Sequence, residues 1–173
     1  MTTTTTQVPA VTDYLVAAAK ASTALGRARP KPVHVFDGPN PSKTLSGLSR
    51  ALWIGFNPAN QGEPAATASQ DFAFLDAGRT RDEDGVIDCA AQFWSGDTTV
   101  KTARDGCDAI VAAVELLLRG TPQTGGPGDA SMGGLALWSG VTGPFDWHPA
   151  QVTKGAVVLC VFRIAYRARL VTS

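Results

Sequence analysis

Asp146 and His148, in the sequence TGPFDWHP, are the side chains best suited to acid–base chemistry. A carboxylate can orient a histidine that acts as a general base, as it does in many hydrolases. No serine or cysteine accompanies this pair in a recognisable motif. We therefore favour a histidine at the rim of a proline-containing turn, and a small enzyme that uses Asp146 and His148 stays an alternative. The only other histidine, His34, has no such neighbour.

Metal and nucleotide sites have little support in the sequence. The glycine-rich stretch TGGPGDASMGG lacks the lysine and hydroxyl residue of a phosphate-binding loop. Asp82, Glu83 and Asp84 lack the oxygen spacing of a dedicated calcium loop. The cysteines lack the paired spacing of zinc ligands and fall on apolar faces, which predicts buried thiols at Cys89, Cys107 and Cys160. We expect no metal and no cofactor.

The segment VVLCVFRIAYRARL, residues 157–170, has the pattern of a long strand. Its even positions are apolar throughout, whereas its odd positions change from aliphatic residues to arginines. Such a strand spans about 46 Å, so we expect its end to overhang a compact domain. One half is then covered on both faces, and the other half exposes a cationic face formed by Arg163, Arg167 and Arg169. A solvated edge that charge protects from aggregation is the alternative.

The elements that must position these residues follow from hydrophobic spacing and from turn signals. Helical periodicity predicts one helix from Pro9 to Leu25 and a second that Thr98 or Thr99 caps and Gly120 ends. Alternating patterns predict strands at 33–36, 50–56 and 86–94, a possible strand at 71–78, one or two strands between 135 and 154, and the terminal strand. The order predicts an α+β fold, with a mostly antiparallel or mixed sheet of about four to six strands and two flanking helices.

Length and composition set the remaining limits. The chain has 173 residues, which suits a single domain, and 15 basic residues balance 15 acidic ones. No global charge therefore favours binding to nucleic acid. Its apolar runs are far shorter than the ~20 residues of a membrane span, and its first residues have no signal-peptide pattern, so we expect synthesis in the cytosol. We expect a flexible arm at 1–8, a domain at 9–173, and mobile loops near 59–69, 78–85 and 121–134.

Several segments, in this order, resemble a known family. They are VFDGPNP, ALWIGFNP, IDCAAQFWSGD followed at once by TARDGCDAIVAAVELLL, and the closing VFRIAYRARL. Together with the first helix they resemble tail terminator (tail completion) proteins of long-tailed bacteriophages, over roughly Val11 to Leu170. The junction from Ser95 to Arg104 and the closing strand carry most of the resemblance.

The resemblance implies a structural virion protein without enzymatic activity. Such a protein forms a ring, usually of six copies, that caps the head-proximal end of the tail tube and stops its polymerisation. Its expected partners are further copies of itself, the tail tube protein and the head–tail connector or stopper protein. DNA passes through the lumen without specific binding. The expected location is the neck of the virion, after assembly in the host cytoplasm.

Two groups of charged residues are assigned to this assembly as hypotheses. Mixed charge on a presumed hairpin tip places one group at a subunit or tube contact: Arg79, Arg81, Asp82 and Glu83. The arginines of the closing strand are assigned to an intersubunit or lumen position. A head-completion or stopper protein of the same neck, and a monomeric ligand-binding domain, are alternatives to the terminator.

Overall fold

The computed structural model describes residues 5–39, 48–72, 80–119 and 128–171. These residues form two helices and one six-stranded mixed sheet, which confirms the predicted α+β fold class. In chain order the elements are α1 (Val8–Ala21), β1 (His34–Asp37), β2 (Arg50–Ile54), β3 (Ala66–Phe72), β4 (Thr80–Ser95), α2 (Val100–Leu117), β5 (Trp138–Val152) and β6 (Gly155–Val171).

Strand β4 is the centre of the sheet. The strand order is β1-β2-β4-β6-β5, and β3 pairs with β4 beside β2. On one side, β4 pairs with β3 along its first half and with β2 along its second half. On the other side it pairs with β6 over its whole length. All pairs are antiparallel except β1 with β2. The sheet therefore has two different edges, one formed by β1 and β3 and the other by β5.

Both helices pack on one face of the sheet. Their apolar stripes share a single core with the even positions of β6 from Val158 to Ala168, which are fully or almost fully buried. The continuous apolar series in β6 is thus explained by a face that helices cover along its length. The predicted buried thiols Cys89, Cys107 and Cys160 all lie in this core and are confirmed as free cysteines. In the described part of the chain, neither helix is long and apolar enough to cross a membrane.

The opposite, open face carries a smaller apolar cluster. Trp53 is fully buried there and stacks on Phe36 of β1 with 5.8 Å between ring centroids. Ala51, Ala90 and Val161 complete the buried part of the cluster. The two faces of β2 are both apolar for this reason, as expected for an internal strand.

Turn chemistry sets the start of α2. Thr99 is the N-cap residue, as the sequence allowed, but its side chain makes no capping bond. Asp97 instead accepts hydrogen bonds from the backbone N–H and the hydroxyl of Thr99. Farther along, Gly106 lies against the ring of Phe93, where a Cβ would be only 2.6 Å from a ring carbon. This glycine lets helix and sheet approach closely.

The sequence placed loops in two regions that form strands. Residues 80–85 are not a hairpin tip, because they are the first residues of β4 and pair with both β3 and β6. Residues 66–69 belong to β3 and not to a loop that extends to 69. High polarity misled the prediction in both cases, since one face of these strands is open to solvent. Of the possible strand at 71–78, residues 71 and 72 form the end of β3. Residues 73–79 lie outside the described residues.

Three further expectations need correction. The flexible arm at 1–8 is wrong for its last part, because Val8 begins α1 and Thr5 accepts a hydrogen bond from Gln70; residues 1–4 lie outside the described residues. In the loop expected at 121–134, residues 121–127 also lie outside them, whereas Met132 is fully buried in the core. The end of β6 does not overhang, because β4 pairs with it up to Val171.

Candidate interaction surface

Carboxylates of β4 face guanidinium groups of β6 on the open face of the sheet. The antiparallel register places the two sets directly opposite each other, as Asp88 with Arg163, Asp84 with Arg167, and Asp82 with Arg169. Opposite charges at directly facing positions stabilise a sheet by roughly 0.2–1 kcal/mol per pair when they are well placed. We call this set of three pairs the Asp–Arg ladder.

Asp82 is the most highly connected member of the ladder. Arg169 binds it with two parallel contacts, Nε to Oδ1 at 2.8 Å and Nη2 to Oδ2 at 3.1 Å, and Arg167 adds a third contact at 3.2 Å. The hydrogen bond from Arg169 is the main reason why the pKa of Asp82 is lowered. The same interaction raises the pKa of Arg169. The pair of Asp82 and Arg169 therefore stays ionised near neutral pH.

The ladder corrects the expectation of a cationic face. Arg163 donates its Nε–H to Asp88 at 3.0 Å, and Arg167 lies between Asp82 and Asp84, with 3.2 and 3.8 Å to the nearest carboxylate oxygens. Each arginine thus has a carboxylate opposite it, and the surface is mixed in sign. Asp82 and Asp84 could not be assigned to this surface from sequence, because the segment that contains them predicts a separate hairpin.

Glu83 lies on the other face of β4 and is fully buried, so its assignment to an exposed contact is wrong. Its Oε1 accepts hydrogen bonds from the Tyr166 hydroxyl at 2.7 Å and from the Gln7 backbone N–H at 2.9 Å. Its Oε2 accepts one from Gln70 Nε2 at 2.6 Å. Burial alone would raise the pKa of Glu83, but the hydrogen bonds from Tyr166, Thr6, Gln7 and Gln70 outweigh burial and lower it.

This buried carboxylate connects three distant parts of the chain. Gln7 is the N-cap residue of α1, so the negative charge lies at the positive end of that helix, which has no acidic residue in its own first turn. Gln70 brings in β3, and its Oε1 accepts a hydrogen bond from Arg81 at 3.0 Å. Arg81 therefore takes part in a hydrogen-bond network within the subunit. Arg79, the remaining member of the predicted contact group, lies outside the described residues.

Gly85 makes room for the tyrosine that reaches Glu83. It pairs directly with Tyr166 across the β4–β6 ladder, and a Cβ at this position would be 2.2 Å from the ring carbon Cζ. The ring therefore occupies the space that a Cβ at this position would need. Tyr166 is almost fully buried, and burial together with the neighbouring carboxylate raises the pKa of its hydroxyl. The hydroxyl stays protonated and donates.

The free edge of the sheet at β5 exposes large apolar side chains that sequence reasoning did not single out. The described residues include six exposed large hydrophobic side chains, and four lie on or next to this strand: Leu137, Trp138, Phe145 and Val152. Trp138 and Phe145 are 46 and 45% exposed. Pro144 and Pro149 lie in the same strand, which is typical of an edge. Tryptophan and phenylalanine in a proline-containing strand were the available signal.

A groove of about 260 Å³ lies on the open face of the sheet, between β5, β6 and the turn after β2. Its polar lining includes Asn57, Asn60, Glu63, Asp146 and His148. The side chains of Asp146 and His148 thus lie at one site, and both are exposed. No serine, threonine or cysteine is among the described residues that line the groove. In the described ranges, no group of three histidine, cysteine or acidic side chains could hold a metal ion.

No model of a known protein family matches the chain, and no curated protein matches it significantly.

Proposed function

We propose that this protein is a structural subunit of a phage tail. In this proposal it assembles with copies of itself, most simply six, into a ring that caps the head-proximal end of the tail tube and joins the tail to the head connector. The observation that carries the proposal is the concentration of exposed large apolar side chains on the free edge at β5. Large apolar side chains exposed along an unpaired sheet edge are typical of a binding surface.

The two edges of the sheet differ, as a closed ring requires. A ring forms when one patch of each subunit binds a different patch of the next and the rotation closes. The edge at β5 supplies one patch. The edge at β1 and β3 supplies the other, and there Phe72 is 69% exposed. A symmetric dimer would use the same patch twice and would leave the second edge without a partner.

The interior of the subunit suits a mechanical role. Strands β4 and β6 pair over 16 consecutive residue pairs, and β5 extends this ribbon to three strands. Glu83 fixes α1 to β3, β4 and β6 with charge-assisted hydrogen bonds. Force applied at an edge is therefore transmitted through a continuous hydrogen-bonded sheet.

The electrostatics are compatible with DNA that passes without sticking. Affinity for DNA grows with each cationic group that contacts a phosphate. The arginines of β6 are neutralised by the Asp–Arg ladder, and the chain as a whole carries no net charge. Neither feature favours a stable complex with the polyanion.

The groove favours one alternative function. Its size and its polar side chains, with Asp146 beside His148 on the open face of β5, would suit a small polar ligand or an acid–base reaction. Turnover of a substrate that is lost in the variant His148→Ala would support this alternative against the ring.

The self-association of the purified chain tests the proposal. The variant with Trp138→Glu and Phe145→Glu places two charges on the edge at β5 and should remain monomeric in sedimentation velocity experiments at concentrations where the wild type forms a closed oligomer. Leu116→Glu is the control for a new charge on an exposed apolar side chain, because Leu116 is 47% exposed on α2 and does not belong to β5. Equal oligomerisation of both variants and the wild type would contradict the proposal.

A second experiment tests the place in the virion. Inactivation of the coding sequence in the phage should give tail tubes of abnormal and variable length that carry no heads. Tubes of normal length would contradict a terminator. Normal tails next to filled heads that lack a neck ring would favour the head-completion or stopper alternative.

A further inference from the structure

The groove at the edge of β5 has an excess of negative charge. Glu63 and Asp146 line it, and neither forms an ion pair with any residue that the structure describes. Arg163 also lines the groove, but Asp88 holds it at 3.0 Å. The two carboxylates are therefore free to bind a cation that comes from outside the subunit.

The opposite edge of the same sheet carries the complementary charge. The turn between α1 and β1 contains Arg27, Arg29 and Lys31, which we call the basic turn. All three residues are exposed, and none forms an ion pair within the described ranges. The basic turn is fixed to the core by Val33, whose backbone N–H donates to Leu25. Its charges therefore have a defined position relative to the sheet.

The register places the basic turn a few residues away from the level of the groove, because the turn ends at Lys31 and the row of paired residues from Asp146 reaches Phe36. One continuous row of paired residues runs from His34 through Ala51, Gln92 and Leu159 to His148. His34 begins the strand that follows the basic turn, and His148 lines the groove. In a ring, the two contact patches of a subunit must meet without a rise from one copy to the next. Patches that are offset by a few residues along the strands meet this requirement when the strands are tilted relative to the ring axis.

We propose that the groove at β5 binds the basic turn of a second copy of this chain. The proposal rests on the proposed function and names the surfaces through which the ring closes. Carboxylates of Glu63 and Asp146 then pair with guanidinium or ammonium groups of the neighbouring copy. Apolar residues at the edge, among them Trp138 and Phe145, supply contact area beside these charges.

Side chains, and not a shared β-ladder, carry this contact. Pro144 and Pro149 have no backbone N–H to donate, and a register shift interrupts β5 between Thr142 and Asp146. Strand addition along the segment that borders the groove is therefore blocked. Charge recognition is the interaction that the segment still offers.

A charge-exchange experiment tests the pairing. One variant carries Arg27→Glu, Arg29→Glu and Lys31→Glu, a second carries Glu63→Lys and Asp146→Lys, and a third combines both sets. Sedimentation velocity at low salt should show association at least about 100-fold weaker for each single set, because like charges then face each other. The combined variant should recover most of the wild-type association. In 1 M salt the Debye length is only about 3 Å, so the charges are screened. The combined variant should then associate no more strongly than either single set.

The matched control reverses three exposed basic residues on α2 or just after its end: Lys101, Arg104 and Arg119. It changes the net charge as much as the reversed basic turn does, and it should associate like the wild type. Equal weakening in this control would overturn the pairing, and so would a combined variant whose association does not recover. If the wild type still forms a ring in that case, the proposed function stands. A wild-type chain that stays monomeric at every concentration and on tail tubes would overturn the proposed function and the pairing together.

Discussion

Replacement of Glu83 by glutamine tests the buried carboxylate that connects α1 to the sheet. The side chain keeps its shape but loses its charge. Its Oε1 accepts from Gln7 and Tyr166, and its Oε2 accepts from Gln70. In the variant, the new amide group donates towards Gln70, whose own oxygen is already bound by Arg81. Two donors then face each other.

The expected cost follows from these contacts. Two hydrogen bonds change from charge-assisted to neutral, which costs about 1 kcal/mol each, and the unsatisfied donor costs about 1–3 kcal/mol. Relief from burying a charge offsets part of this sum, so we expect a loss of roughly 2–4 kcal/mol at pH 7. For a chain of this size the Tm should fall by roughly 5–15 °C. Glu115→Gln, an exposed change on α2, is the control and should shift the Tm by little.

The lowered pKa of Glu83 predicts how the stability difference between the wild type and the variant changes with pH. The pKa of Glu83 is lower in the folded protein than its ordinary value of 4.5. The ionised carboxylate therefore stabilises the fold above about pH 4.5, and this contribution is lost as the pH falls through the folded pKa. Thermal unfolding of both proteins between pH 7 and pH 3 should show a difference in Tm that shrinks on acidification. A difference below about 1 °C at pH 7, or one that does not change with pH, would refute the assigned role.

Two further predictions concern the interior. Gly85→Ala should lower the free energy of unfolding by about 2–5 kcal/mol, because its Cβ would displace the ring of Tyr166 from Glu83, whereas Gly140→Ala on β5 has open space and should be nearly neutral in urea titrations. A loss equal to that of Gly140→Ala would contradict the close packing. Burial raises the pKa of two cysteine thiols to about 12 and of the third to about 11, so a thiol reagent at pH 8 should label them only after unfolding; fast labelling of the native chain would contradict this burial at Cys89, Cys107 and Cys160.

Patterns confined to one element could be predicted from the sequence. The apolar stripe of α2 and the alternation in β6 each repeat over many residues, so single exceptions do not hide them. Cys160 illustrates this, since its even position in β6 was enough to predict burial. The fold class followed from the order of such elements, and the structure confirms it.

Features that depend on distant partners could not be predicted. Glu83 is followed by another acidic residue in a charge-rich segment, so its surroundings in the sequence suggest solvent. Its burial depends on Gln7 and Tyr166, which lie 76 and 83 residues away in the chain. Likewise, the pairing of the β6 arginines with carboxylates can be recognised only when the register with β4 is known. In β5, the prolines concealed a continuous strand, because an edge tolerates what an internal strand does not.

The central claim, that the chain is a ring subunit of a phage tail, is a proposal, and electron cryo-microscopy of virions of the proposed phage would test it most directly. The proposal predicts a closed ring at the junction of tail tube and head, in which β5 of each copy lies against the basic turn of the next. Virions that lack the chain, or a chain present as an isolated copy with β5 in solvent, would contradict the claim.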